Sequence, residues 1–299
     1  MSMRTKGDLC GMTVRDEQEY GKVDTSGQSA YAGTLVSLSI NDERETDTIG
    51  QCGSMVRAGI IEVARKCDFK AVFNQVRGTG WEKWLIRALG ASSGTSRDLP
   101  SFDTSFRVAA GEHHLCTGCV MDTVTMSATN IGSKVELSAQ AVCRWHTMTP
   151  FEDADGSSIT FPPVEVPYGL PLTFNSLWQY STDGGSSWTP IKTKGFTLTI
   201  SRSLQSDPGV SGDGIRLEAG EGSVPQDIKI TLDLTITSTG PEWDAKRLAA
   251  MTDDFTLKLT LDSKTITLRG CVLGIKGPDR TQASYDETIS FDAADMTVV

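Results

Sequence analysis

The chain has 299 residues, 38% of them hydrophobic and 22% charged, with 38 acidic against 28 basic side chains and a formal charge of -10. That is enough chain for one large domain or two modest ones, and the acidic balance argues against a protein that grips nucleic acid through lysine and arginine. No apolar run approaches the roughly 20 residues of a membrane-spanning helix, the polar start MSMRTKGDL is no secretion signal, and the odd count of seven cysteines points to reduced thiols in a cytosolic setting.

In chain order, strands are expected at 34–40 and 60–74, the second carrying Lys66, Asp68 and Lys70 on its polar side. GTGWEKWLIRALG then sets Trp81, Trp84, Leu85 and Ala88 at helical spacing, with Gly90 as a natural stop. A strand at 103–109 follows. Next comes EHHLCTGCVMDTVTMS, which crowds His113, His114, Cys116 and Cys119 together, and later Cys143 and His146 at the same short spacing.

Three readings compete for that cluster: a zinc centre built from C-x-x-C and C-x-x-H, a redox C-x-x-C, or the start of a strand. As arms of a hairpin turning at Asn130–Ser133, with Val124 opposite Ala139 and Val120 opposite Cys143, strict alternation sends Cys116 and Cys143 to the core face. Cys119 and His146 then go to the other face. Cys116 and Cys143 also sit four positions out of register, roughly 13 Å at ~3.3 Å per residue. Alternation therefore favours the plain strand, with no metal and no cofactor. In the hairpin's second arm Val135, Leu137, Ala139 and Ala141 alternate with Glu136, Ser138 and Gln140.

Residues 151–192 read as a Pro/Gly-rich connector followed by a projecting hairpin, because Pro162, Pro163, Pro167 and Pro171 interrupt regular structure. Within it, STDGGSSW at 181–188 fits the Asp-box pattern: Asp183 can accept backbone N–H groups, Gly184 and Gly185 permit positive φ, and Trp188 packs beneath. One copy makes a structural hairpin, with a carbohydrate-binding, adhesin-like β-sandwich as the alternative function.

A strand at 195–201 precedes the clearest alternation in the chain. Ile228, Ile230, Leu232, Leu234 and Ile236 interleave with Asp227, Lys229, Thr231, Asp233 and Thr235. STGPEWDAKRLAAMT offers a second helix starting at Pro241. Phe255, Leu257, Leu259 and Leu261 lead through a turn near Ser263 and Lys264 to Ile266 and Leu268, a β-hairpin. The last strand is expected at 286–292. No phosphate-binding loop, nucleophile elbow or H-E-x-x-H is present, so the chain does not read as an enzyme and offers no catalytic residues.

The order recurs. A long strand, a Trp-bearing helix and further strands lead to TGCV at 117–120 and again to RGCV at 269–272. The expectation is a mainly β protein duplicated in tandem, with one short helix per unit and units at 1–150 and 151–299.

EYG (Glu19, Tyr20, Gly21), LVSLSI, the helix ending ALG (Ala88, Leu89, Gly90), H-L-x-T-G-C-V and the closing ETISFDAAD together resemble the tail tube proteins of long-tailed bacterial or archaeal viruses, over most of residues 15–299. The resemblance implies a β-sandwich or half-barrel beside a helix, assembled in the host cytoplasm into rings that stack into the virion's tail tube. Hexameric rings of single units or trimeric, pseudo-sixfold rings of double units are both implied. The implied partners are further copies of the chain, the tape measure, tail terminator and baseplate or tip proteins, and DNA that passes without specific binding. The wettable strand faces would then line the channel: Lys66, Asp68 and Lys70; Glu136 and Gln140; Asp227, Lys229 and Asp233. The connector and Asp-box hairpin would be an external decoration or inter-ring arm.

Overall fold

The computed structural model describes residues 11–17, 30–50, 57–78, 80–90, 101–109, 112–148, 151–152, 158–159, 170–202, 204, 207–211, 214–218, 228–237, 243, 255–274 and 286–299. Its strands are β1 (Gly11–Asp16), β2 (Ala30–Gly50), β3 (Arg57–Asn74), β4 (Phe102–Ala109), β5 (Glu112–Ala128), β6 (Glu136–Cys143) and β7 (Trp145–Met148). Short pieces follow: β8 (Phe151–Glu152), β9 (Ser158–Ile159), β10 (Gln179–Ser181) and β11 (Thr189–Pro190). The remainder are β12 (Thr193–Ser201), β13 (Asp207–Ser211), β14 (Gly214–Glu218), β15 (Lys229–Thr237), β16 (Phe255–Leu261), β17 (Lys264–Leu273), β18 (Asp286–Ala293) and β19 (Asp295–Val298). The helix α1 spans Glu82–Leu89, between β3 and β4.

One sheet runs in the spatial order β2-β3-β6-β5-β12-β15-β18-β17. Its alternation is the one the sequence carries. Phe73, Leu137, Met126, Leu198, Leu232 and Phe291 lie in register across six strands on one face, and all are buried. Removing such side chains from water contributes about 1.5–3 kcal/mol each, which sets the register against a slip.

Two flaps fold over this apolar face. The amino-terminal half of β5 leaves the main sheet to pair with β4 and β7, and β4 pairs with β1. The amino-terminal half of β17 does the same with β16 and β19, and β16 pairs with β10. Phe69 of the sheet meets Phe106 of the first flap edge-on at 5.1 Å, and Phe291 meets Phe255 of the second at 6.0 Å. The result is a β-sandwich.

Most of the pairing pattern of β1–β7 recurs in β10–β19: β1–β4, β4–β5, β5–β7, β5–β6, β6–β3 and β3–β2 correspond to β10–β16, β16–β17, β17–β19, β17–β18, β18–β15 and β15–β12. In both, the strand that changes sheets does so at a glycine of positive φ, Gly118 at 59° and Gly270 at 58°. The two sets are fused where β12 adds to β5, from Phe196 opposite Ala128 to Ser201 opposite Thr123.

Helix α1 begins at Glu82 and ends at Gly90, whose left-handed φ of 80° lets its N–H bond Arg87 O. Trp84 fills the space between Phe73 and Phe102, and the Arg87 guanidinium pairs with Asp16 Oδ1 at 2.6 Å. Of the second expected helix only Trp243 is described; it is helical and buried. The 255–268 hairpin turns at Asp262 and Ser263, both at positive φ, one residue earlier than the sequence reading placed it.

Residues 170–181 do not project. Pro171 bridges Val76, Thr173 bridges Lys134, and Leu172, Phe174 and Trp178 are buried. The β2–β3 pair runs on past β6, whose last rung with β3 is at Cys67, and continues to Gly50–Arg57, with β14 joining β3 in parallel at Arg65 and Lys66.

Candidate functional site: the polar face of the main sheet

Opposite the apolar face, the same rungs carry polar side chains. Lys70, Gln140, Thr123, Ser201 and Lys229 form one row across β3, β6, β5, β12 and β15. Ser138, Thr125, Thr199, Thr231 and Asp292 form the next, and Glu136, Ser127, Thr197, Asp233 and Ser290 a third. Neighbouring hydroxyls meet across the fused joint, Thr125 Oγ1 to Thr199 Oγ1 at 3.3 Å, and Ser290 donates to Asp233 Oδ1 at 2.5 Å.

Of the residues singled out from sequence, Lys70, Glu136, Gln140, Lys229 and Asp233 are exposed on this face, and Asp68 is half-buried on it beside Asn41. Lys66 is placed in β3 by its backbone, with its side chain outside the described residues, and Asp227 lies wholly outside them. The face also includes hydroxyl-bearing residues the sequence reading did not name, Thr123, Thr125, Ser127, Thr197, Thr199 and Ser201. Their signal was the alternation in DTVTMS and FTLTIS, which mattered only once β12 was known to lie beside β5.

Among the described residues the face holds more carboxylates than lysines, Glu43, Asp68, Glu136, Asp233, Asp286 and Asp292 against Lys70, Lys229 and Lys194, whose Nζ pairs with Asp286, with no arginine and no aromatic ring. Phosphate recognition uses cationic forks, and single-stranded bases are held by aromatic platforms. This face has neither.

The cysteine and histidine cluster corrects the alternation argument. Between Met121 and Thr123 β5 bulges: Thr123 still lies opposite Gln140, but Met121 falls opposite Ala141 and Val120 opposite Val142 rather than Cys143. The extra residue, Asp122, turns Met121 and Cys119 to the core face, and a second irregularity at Gly118, where the Arg144 N–H donates to both Thr117 O at 3.0 Å and Gly118 O at 3.2 Å, keeps Cys116 there as well. Cys116, Cys119 and Cys143 are therefore all buried, and Cys119 Sγ lies 3.3 Å from Cys143 Sγ. Cys67, opposite Cys143 on β3, exchanges side-chain hydrogen bonds with Cys116 and Cys143. Those S–H donors favour its thiolate and pull its pKa down to about 4, while burial pushes the Cys116, Cys119 and Cys143 thiols up.

Beside them the His114 and His146 rings stack with centroids 5.4 Å apart and Nδ1 of His114 3.1 Å from Nε2 of His146, and Asp42 Oδ2 lies 3.6 Å from His146 Nδ1. Burial lowers the His113 pKa. Among the described residues no three His, Cys, Asp or Glu side chains are arranged to hold a metal ion.

The Asp-box is a closed turn. Asp183 Oδ1 accepts the Ser186 and Ser187 N–H groups at 2.9 Å each and the Ser181 hydroxyl at 2.6 Å, and Gly185 N–H reaches Ser181 Oγ at 2.8 Å. These donors hold the Asp183 carboxyl well below the usual carboxylate range. The face of Trp188, where a sugar ring would stack, carries Lys258 Nζ at 4.0 Å from its centroid.

A β-sandwich whose main sheet is long, continuous and wettable on one side has the form of a wall. No curated protein matches the chain. The family model described as phage tail tube protein matches residues 21–295, and the chain belongs to that family of structural virion tail proteins.

Proposed function

We propose that the chain assembles edge to edge with copies of itself into closed rings, that the rings stack into the tail tube, and that the polar face lines the channel through which DNA leaves. The observation that carries this reading is the β5–β12 joint. It is a sheet addition between two sets of strands that share most of their pairing pattern, made inside one chain. Along residues 34–50, β2 pairs as a strand with β3 alone among the described residues, so no described strand extends the sheet beyond it there. A bare edge of that length is an aggregation hazard unless another strand completes it. Repeating the addition between copies closes the sheet and removes the edges.

With units at 1–150 and 151–299, three chains make a ring of six similar walls. Lys70, Gln140, Lys229 and their row-mates then face the lumen, together with Asp68, Glu136 and Asp233. The excess of carboxylates over lysines repels phosphate at short range, an effect screened beyond about 8–10 Å. DNA slides past hydroxyls that do not hold it.

The test is negative-stain electron microscopy with mass photometry of the purified chain. Concentration-dependent rings or tubes of one diameter, in multiples of three chains, are expected. A chain that stays monomeric at high concentration overturns the reading, and rings built from six chains overturn the trimer.

A further inference from the structure

The cysteine cluster takes no part in the tube wall as described, and the repeated pairing supplies an internal comparison. Matching the joints of the two sets puts Cys67 at the place of Ile230, Cys116 at that of Leu268, Cys143 at that of Ala293 and Cys119 at that of Cys271. In the second set the node is closed by ordinary apolar packing around one cysteine. In the first, the same space holds four sulfurs. Packing at this place does not need them.

We propose that Cys119 and Cys143 are a dithiol that closes to a cross-strand disulfide inside the folded chain when the surroundings become oxidising. Their Sγ atoms are 3.3 Å apart across adjacent antiparallel strands, one rung beyond the Val120–Val142 pair. Paired Cα atoms at such rungs lie about 4.5–5.5 Å apart, within the usual disulfide span of roughly 4.4–6.8 Å. The register shift between Met121 and Thr123 is what brings the two sulfurs to one side.

The oxidant is a low-molecular-weight disulfide, R–S–S–R. The Cys67 thiolate attacks R–S–S–R, forming a Cys67–SR mixed disulfide and releasing one RS⁻, which takes the Cys143 proton and leaves as RSH. The Cys143 thiolate attacks the Cys67 sulfur and breaks the Cys67–SR bond, and the second RS⁻ takes the Cys119 proton and leaves as RSH. The Cys119 thiolate attacks the Cys143 sulfur, and the Cys67–Cys143 bond breaks to release Cys67 as thiolate. Two S–H bonds and one S–S bond are exchanged for one S–S bond and two RSH, and Cys67 ends as it began. Because the node is buried, the reaction waits on local opening and is slow compared with that of exposed thiols. A chain that folds among reduced thiols and serves in a virion meets such an oxidant on release.

The experiment treats the native full chain with oxidised glutathione, quenches with acid, and maps alkylated peptides by mass spectrometry without reduction. The expected result is loss of two of the seven thiols, a 119–143 cross-linked peptide, and a rise in Tm that dithiothreitol reverses. Cys143→Ala abolishes the cross-link, while Cys67→Ala slows its formation and leaves the product the same. Mapping of the wild-type chain decides the matter even where a variant folds poorly. A cross-link joining any other pair, no loss of thiols from the folded chain, or stoichiometric zinc occupying the thiols of the purified protein overturns the proposal.

Discussion

Gly118 and Gly270 are one device used twice. Each sits in a G-C-V triplet at the step where a long strand leaves a flap and joins the main sheet, and their φ values differ by a single degree, 59° against 58°. An L side chain in that region costs about 1–2 kcal/mol. At Gly270 an added Cβ would also meet Ala294 Cβ at 2.9 Å.

Gly270→Val should therefore destabilise the chain by about 2–4 kcal/mol, combining left-handed strain with overpacking. Urea denaturation checks this. An unchanged midpoint would mean that the bulge relaxes without cost and does not direct the strand.

The fused joint supplies a second expectation. Gly195 opens β12 against the end of β5, and a Cβ there would fall 2.5 Å from Thr129 O and 2.7 Å from Ala128 O. Backbone atoms cannot step aside as a flexible side chain can, so Gly195→Ala should loosen the joint at a cost of about 1–3 kcal/mol. Because the joint links the two repeated sets, calorimetry of the variant should show a broadened or split transition where the parent shows one. A sharp transition merely shifted in temperature would show that the sets are held together elsewhere.

The facing of β15 is tested by adjacent residues. Leu232 is fully buried between Leu198 and Phe291, whereas Thr231 lies on the polar face between Thr199 and Asp292. Leu232→Asp buries a carboxylate with no partner and should abolish folding. Thr231→Asp sets a like charge opposite Asp292, worth about 0.2–1 kcal/mol, and should leave circular dichroism and ring formation intact. Equal behaviour of the two would reverse the assignment of faces.

How far the sequence was legible follows from the same residues. Strict alternation in 228–236 and in 135–141 placed Leu232, Leu234, Leu137 and Ala139 inward and Lys229, Asp233, Glu136 and Gln140 outward, as found. Alternation failed at Asp122, because it assumes a constant two-residue period and the pairing of β5 with β6 shifts by one residue between Met121 and Thr123. That single step moved Cys119 from the far face to within 3.3 Å of Cys143. The addition of β12 to β5 was not legible either. Nothing local to Phe196 or Met126 states which distant edge will receive it, so the hydroxyl rows at the joint went unnamed. Arg202 was missed for the same reason: its guanidinium donates to Ala88 O and Leu89 O at the end of α1, a contact set by long-range topology.

That arginine supports a prediction of its own. Carbonyls at a helix C-terminus have no partner within the helix, and Arg202 Nε reaches Ala88 O at 2.6 Å while its Nη2 bonds Leu89 O. Burial lowers the Arg202 pKa to about 10. Arg202→Met keeps much of the stem's packing and removes only the donors, leaving buried carbonyls unsatisfied at about 1–3 kcal/mol. Hydrogen exchange should show faster exchange in the last turn of α1, with the rungs of β15 and β18 unchanged. Uniform loss of protection across the sheet would mean that Arg202 supports the whole joint rather than the helix end.

The Asp-box turn is expected to respond to acid through one group. The folded Asp183 carboxyl titrates below its unfolded value, because Ser181, then Ser187 and the neighbouring N–H groups, bond its ionised form. A depressed carboxylate contributes stability that is complete above the unfolded value, near pH 4, and lost as pH falls toward the folded one. Asp183 is fully exposed, so the consequence is local: the turn opens while the sheets persist. Trp188 reports it, since its ring rests against Lys258 Nζ and Gly185. Tryptophan fluorescence should therefore change below pH 4 ahead of far-ultraviolet circular dichroism. Asp183→Asn, which cannot gain or lose that charge, should abolish the early phase and show the opened turn at neutral pH. An early phase that survives in Asp183→Asn would assign it to another carboxylate and leave the turn held by Ser181 and Gly185 alone.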